Sequence, residues 1–214
     1  MTATQPATIL YMKPKPKPLL VVLSGPSGAG KDAVLDELAR RGVAFHRVIT
    51  ATTRPPRVNE RHGVDYFFRT DREFDMMINN GGLLEHAVVY GHRSGVPKRQ
   101  VLDKLAEGID VVVRTDVQGA ASIKEKMPEA VRIFIAPSSI EEIEERIRAR
   151  NSDDEERIRW RIDTAKSELA RSGEFEHVII NKPGKLEETV DELVAILARA
   201  RDGDEKPRKR NRAG

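Results

Sequence analysis

No cysteine occurs anywhere in the chain, which excludes a disulfide framework and any cysteine-based metal site. Long apolar runs are missing too. The longest near the N-terminus, residues 19–23, is far too short to span a bilayer. Residues 1–18 have no signal-peptide apolar core, so a cytoplasmic protein without a membrane partner is expected. Charge of one sign is not in large excess either: 37 Lys and Arg stand against 34 Asp and Glu, a formal net charge of +3. That excess sits at the ends, where Lys13, Lys15 and Lys17 alternate with prolines and Lys206, Arg208, Lys209, Arg210 and Arg212 crowd the tail. Both tails, 1–18 and 201–214, are expected to be disordered. No aromatic residue is interleaved with their charges, which argues against a nucleic-acid partner.

What is present fits a soluble globular chain: 39 % hydrophobic and 33 % charged residues in a length of 214. That length suits one domain with room for inserted subdomains. Residues 19–24 form a continuous apolar run of the kind that makes a buried parallel strand. Apolar positions Ala33, Val34, Leu35, Leu38 and Ala39 follow at helical spacing and stop at Gly42. Further strands are expected at 44–51, 65–69, 83–90, 109–113, 131–136 and 177–180. Helices are expected at 71–80, 96–107, 120–126, 139–170 with one interruption, and 186–200. Strands alternating with helices predict an α/β fold with a parallel sheet flanked by helices. The shorter elements at about 50–96 read as an inserted subdomain within a domain of residues 19–200.

Between the first strand and first helix lies GPSGAGKD, Gly25 to Asp32. Gly25, Gly28 and Gly30 let the backbone curl so that its N–H groups converge, and the helix that follows adds its N-terminal dipole. With Pro26, Ser27 and Ala29 they form a phosphate-binding loop of the G-x-x-x-x-G-K type, and Lys31 brings a mobile positive charge to the β- and γ-phosphates of ATP. The position after the lysine ordinarily carries a hydroxyl and here is Asp32. Mg2+ prefers hard oxygen ligands, so a carboxylate at this position is a candidate metal contact. An aspartate also suits the first turn of a helix electrostatically.

Arg54 and Arg57 flank two prolines, which stiffen the loop and hold two guanidinium forks near each other. Such forks pair bidentately with phosphate. Arg146 and Arg150 are spaced to share one helix face. Ser152 with Glu155 has capping-box spacing, which predicts a new helix there and a hinge at a charged turn.

The stretches VITATTRPPR, HGVDYFF, LLEHAVVYG, VQGA, RIRARNSDDEERIRWRI and VIIN follow one another as in guanylate kinases, and the chain resembles that family from about residue 19 to about residue 200. The resemblance implies ATP-dependent phosphorylation of GMP, and of dGMP, with Mg2+. It implies that Arg54, Arg57 and Tyr66 hold the GMP phosphate, that Glu85 accepts from the two adjacent donors of guanine, and that Thr50 and Asp116 lie on the guanine side. It makes residues 140–170 a helical lid. Arg150 and Arg161 then reach the transferring phosphoryl group beside Lys31 and Arg57, Arg146 supports the nucleotide, and Asn181 lies at the adenine ring.

Three positions depart from the family pattern. Ser94 replaces a tyrosine that binds phosphate, Val96 replaces a hydroxyl residue that helps read guanine, and Arg114 replaces an acid that faces guanine. Arg93 or Arg114 is a candidate to replace lost phosphate contacts. Two alternatives stay open: a phosphate-loop kinase acting on another phosphorylated small molecule such as a ribose bisphosphate, and a non-catalytic guanylate-kinase-like interaction module. Retention of Lys31, Arg150 and Arg161 favours an enzyme, whether monomer or homodimer.

Overall fold

The structure is a computed structural model describing residues 17–89, 91–149 and 154–203. In chain order its elements are β1 (Leu20–Ser24), α1 (Lys31–Arg40), β2 (His46–Arg47), β3 (Ala51–Thr52), β4 (Phe67–Phe68), α2 (Asp71–Asn79), β5 (Leu83–Val89), β6 (His92–Pro97), α3 (Lys98–Ala106), β7 (Val111–Arg114), α4 (Val117–Lys126), β8 (Val131–Pro137), α5 (Ile140–Ala149), α6 (Glu155–Ala170), β9 (His177–Asn181) and α7 (Leu186–Arg201). The expectations for residues 1–16, 150–153 and 204–214, Arg150 and Ser152 among them, fall outside the described residues.

Five strands form a parallel sheet in the order β2-β7-β1-β8-β9. Successive side chains of a strand point to opposite faces. Leu20 and Val22 of β1 therefore pack with Val111, Val113, Ile123 and Phe134 on one face, while Val21 and Leu23 pack with Leu35, Leu38, Ile133 and Leu193 on the other. Helices α1 and α7 cover the second face and α4 lies on the first, so the expected two-sided burial of a parallel sheet is found. A second sheet has the order β4-β3-β6-β5, with β6 antiparallel to both β3 and β5. Helices α5 and α6 pack on each other through a small core of Ile143, Ile147, Ile158 and Ala165.

The structure corrects the expected elements in four places. The single strand expected at 44–51 is split. Val48 still donates its N–H to Val112 of the first sheet (3.0 Å), but the Ile49 backbone is bonded at both ends by the Gln100 side chain (3.0 and 2.9 Å). A side-chain amide thus takes the place of a neighbouring strand while the chain crosses to the second sheet at Ala51. The helix expected from 96 begins at Lys98, because Val96 still belongs to β6, a strand whose polar His-Arg-Ser-Gly start gave no apolar signal. Helix α4 starts at Val117 rather than 120, capped by the Asp116 carboxylate, which accepts from Gly119 N–H at 2.8 Å. Helix α6 is capped by Asp154, which accepts from Arg157 N–H at 2.8 Å.

Candidate active site

The loops at the carboxyl ends of β1, β7, β8 and β9 meet on one side of the parallel sheet, the usual place for a ligand crevice in such folds. The phosphate loop follows β1. Gly30 closes it with a φ of 88°, the left-handed conformation that glycine adopts without steric cost, and α1 starts at the next residue. Lys31 curls over the loop: its Nζ donates to the Gly25 carbonyl and, at 3.0 Å, to that of Pro26. Two side chains from elsewhere fix the loop from outside. Arg146 of α5 donates to the Gly28 carbonyl at 2.7 Å and also pairs with Glu142. Asn181, buried at the end of β9, donates to the Ala29 carbonyl at 2.9 Å and accepts from Thr189 at 3.1 Å.

Two cavities flank the loop. The one of about 390 Å³ is lined by Gly28, Gly30, Ala33, Arg146, Asn181 and Lys182. It brings together Arg146 and Asn181, the two residues that the family resemblance puts on the nucleotide side. The other, about 440 Å³, has the phosphate loop and Lys31 on one wall. Thr50, Arg54, Arg57 and Tyr66 come from the second sheet and its loops, and Arg161 from α6. Lys31 and the phosphate loop thus share this space with Thr50, Arg54, Arg57, Tyr66, Asp116 and Arg161, whereas Arg146 and Asn181 line the other cavity and Glu85 lines neither.

On the wall formed by the second sheet and its loops the arginines converge on Glu60, which the sequence reading passed over. Arg54 forks onto both Glu60 oxygens at 2.9 Å, and the Arg57 amide donates to Glu60 at 2.7 Å. Burial acts to raise the Glu60 carboxyl, but the Arg54 fork and the Arg57 amide outweigh it and hold it below its ordinary value. Arg54 also lies 5.1 Å from the centre of the Tyr66 ring, and burial pushes the Tyr66 phenol up. R-x-x-E spacing with the arginines was the available signal, since Arg57 and Glu60 are three apart in a tight turn closed by Glu60 N–H to the Arg57 carbonyl at 3.1 Å.

Glu85 is 2 % exposed on β5. Thr115 donates its hydroxyl hydrogen to Oε1 at 3.1 Å, while Oε2 makes no hydrogen bond among the described residues. Burial pushes this carboxyl up to about 7, opposed by the Thr115 bond and Lys126 and reinforced by the charge of Asp116. A buried acceptor atom without a donor is uncommon in proteins. Gly119 of α4 is needed here for close approach: a Cβ at that position stands 2.8 Å from Glu85 Oε2. Thr50 is buried nearby, Ser94 lines the cavity, and Val96 is fully buried directly across the strand pair from Glu85.

Of the two arginines considered as replacement contacts, Arg93 is turned to α2, where it lies over the Phe74 ring (4.6 Å) and pairs with Asp75 at 2.6 Å. Arg114 lines the cavity instead. Asp32, the candidate metal contact, is bonded by Arg47 and Arg114, both on the same oxygen, Oδ1. The described residues contain no group of three or more His, Cys, Asp or Glu able to cage a metal. The donor set thus fits Mg2+ only in its common nucleotide-bound form, with one carboxylate and substrate phosphate oxygens as ligands.

Two further residues of α6, Arg157 and Glu168, line the same cavity and were not singled out from the sequence. Glu168 is pushed up to about 7 by burial, with Lys31 and Arg171 opposing and Asp116 adding to the shift. Its setting depends on which face α6 turns to the loop, and helical periodicity alone does not supply that.

The family model described as guanylate kinase matches residues 17–200. A protein named guanylate kinase from Synechococcus sp. (strain JA-3-3Ab) is 39 % identical over 202 residues, covering 92 % of each chain. A rice (Oryza sativa subsp. japonica) protein named guanylate kinase 2, chloroplastic/mitochondrial, is 41 % identical over 187 residues; the match covers 87 % of this chain and 66 % of the longer rice protein. The crystal structure of guanylate kinase from Anaplasma phagocytophilum superposes with a TM-score of 0.70 at 31 % identity, covering 87 % of this chain and 88 % of that one. With a matching family model over most of its length and relatives near 40 % identity, the chain belongs to the guanylate kinase family.

Proposed function

We infer that this protein is a kinase that transfers the γ-phosphoryl group of ATP to the phosphate of GMP, giving GDP and ADP. The observation that carries the acceptor's identity is Glu85. It is a buried carboxylate with one oxygen held by Thr115 and the other lacking a donor among the described residues. Guanine presents two adjacent donors, N1–H and the 2-amino group, that one carboxylate accepts together. Adenine presents an acceptor at N1, which the same carboxylate repels. A site that leaves a buried polar group unpaired with the wrong substrate discriminates strongly.

Phosphoryl transfer needs alignment and positive charge more than covalent chemistry. The phosphate loop and Lys31 hold the donor phosphates, and Asn181 and Arg146 brace the loop beside the cavity proposed for adenine. Arg54, Arg57 and Tyr66 hold the acceptor phosphate, with Thr50 and Asp116 on the guanine side. Arg161, together with Arg150, brings charge to the transferring group. Asp32, together with phosphate oxygens of the nucleotide, would hold Mg2+, which would supply neutralising positive charge for the transfer. No general base is required, because the acceptor phosphate is already an anion. The sheet β4-β3-β6-β5 with its loops is the acceptor-binding unit and α5–α6 the lid, and closing the lid excludes water from the transfer.

No described helix is long and apolar enough to cross a membrane. The proposal includes a cytoplasmic location, a monomer or homodimer, and no nucleic-acid partner. An acceptor panel tests the reaction: GMP, dGMP, AMP, UMP and ribose bisphosphate, each with Mg2+ and labelled ATP. Label appearing in GDP and dGDP is expected. Transfer to none of them, or preferential transfer to a non-guanine acceptor, overturns the reading.

A further inference from the structure

Arg114 touches both halves of the cavity. It ends β7, its side chain is 14 % exposed, and it contacts the Asp32 carboxylate at the start of α1. Its guanidinium also lies 5.0 Å from the centre of the Tyr66 ring, the ring that Arg54 approaches to 5.1 Å. Two guanidinium groups thus gather at one tyrosine of the acceptor wall, and one of them is bonded to the phosphate loop's helix. Asp32 is not a closed partner. Its side chain is 59 % exposed, it lines the cavity, and Arg47 shares the same oxygen. Arg47 in turn holds Asp36 at 2.8 Å. With Arg114 moved away, Asp32 keeps Arg47 as a partner.

We propose that Arg114 is a movable acceptor-phosphate ligand, parked on Asp32 until the donor site fills, and that this exchange makes donor and acceptor bind cooperatively. The inference rests on the site assignment given above. A cation brought to Asp32 with the donor nucleotide competes with Arg114 for the carboxylate and repels it, since like charges a few ångströms apart interact strongly away from bulk water. The released guanidinium is already beside Tyr66, and an acceptor phosphate offers it a bidentate partner in place of the one it lost. Each ligand favours the same position of Arg114, so each raises the affinity for the other by the same factor. Arg114 thereby couples the two sites through one side chain, with no change of fold required.

Calorimetric titration of GMP into the full-length protein tests this, without and with saturating Mg2+ plus a β,γ-imido analogue of ATP. In the parent, GMP affinity is expected to rise roughly tenfold with the analogue, within the usual range for coupled sites. Asp32→Ser removes the parking place, so its GMP affinity without the analogue should already match the parent's with it, and the coupling should fall to near one. Arg114→Met should bind GMP weakly in both conditions, again without coupling, while Arg114→Lys keeps part of it. If Arg114 is only a structural clip, Asp32→Ser leaves unliganded GMP affinity unchanged or weaker, and that result overturns the proposal, as does full coupling in Arg114→Met. Melting temperatures of each variant separate loss of folding from loss of coupling. Arg54→Ala checks the foundation separately. Undiminished GMP binding there means the acceptor phosphate lies elsewhere, which overturns the site assignment itself, whatever the Arg114 variants do.

Discussion

Thr115 donates to Glu85 at 3.1 Å, and this bond fixes one oxygen of the carboxylate, while the other has no donor among the described residues. Burial places the Glu85 carboxyl at about 7, above its ordinary 4.5. A group that holds its proton more tightly when folded adds stability below its unfolded value and loses it as the pH rises through its folded value. Parent and Glu85→Gln should therefore diverge between about pH 4.5 and 7. By urea denaturation, the glutamine variant should gain on the order of 2–3 kcal/mol relative to the parent across that window. Glu168 titrates in the same range but is present in both proteins, so it cancels in the difference. GMP affinity should fall in the parent as the pH drops below about 7, because the protonated carboxyl no longer accepts two hydrogen bonds.

Glu60 sets the Arg54 fork and the Arg57 backbone without belonging to the proposed phosphate contacts themselves. Glu60→Ala should raise the KM for GMP by roughly tenfold, by loosening two otherwise aligned arginines, and leave the KM for ATP near the parent value. Steady-state kinetics with each substrate varied in turn gives the split. Equal rises in both constants would point to a general loss of structure instead.

Asn181 ties β9 to the phosphate loop through the Ala29 carbonyl and is itself held by Thr189. Asn181→Ala removes two buried hydrogen bonds and should cost about 2 kcal/mol of stability. Its kinetic signature should fall on the donor side, as a raised KM for ATP with the KM for GMP little changed.

Asp32 carries the proposed metal contact, and a carboxylate next to phosphate repels it when no cation intervenes. ATP affinity should accordingly depend steeply on Mg2+ in the parent, measured as nucleotide Kd over a Mg2+ series. Asp32→Ser should flatten that dependence and retain transfer. Indifference of the parent's ATP affinity to Mg2+ would remove the metal role from Asp32.

The local signals that survived into the structure are those in which sequence spacing and backbone geometry are the same thing. Glycines at 25, 28 and 30 specify the phosphate loop because its conformation is local, and the apolar runs at β1, β7 and β8 specify buried strands because both faces of the sheet are covered. Residues whose meaning depends on distant partners were not legible. Gln100 imitates a strand edge for Ile49 across 51 residues of chain, and without that contact residues 44–51 read as one strand. Glu168 is an ordinary helix glutamate until α6 turns it toward Lys31. Arg93 and Arg114 look alike in sequence, and only their surroundings send one to α2 and the other to the cavity.

The most direct measurement is the ratio of kcat/KM for GMP to that for AMP, in the parent and in Glu85→Gln, with Mg2+ and ATP held saturating. If the buried carboxylate reads guanine, the parent ratio should reach roughly 10⁴ or more, as for sites that leave a buried group unpaired with the wrong substrate. Glu85→Gln should lower kcat/KM for GMP by roughly 10²-fold or more and leave AMP turnover nearly unchanged, collapsing the ratio. A ratio that survives the substitution, or a parent enzyme that prefers AMP, contradicts it.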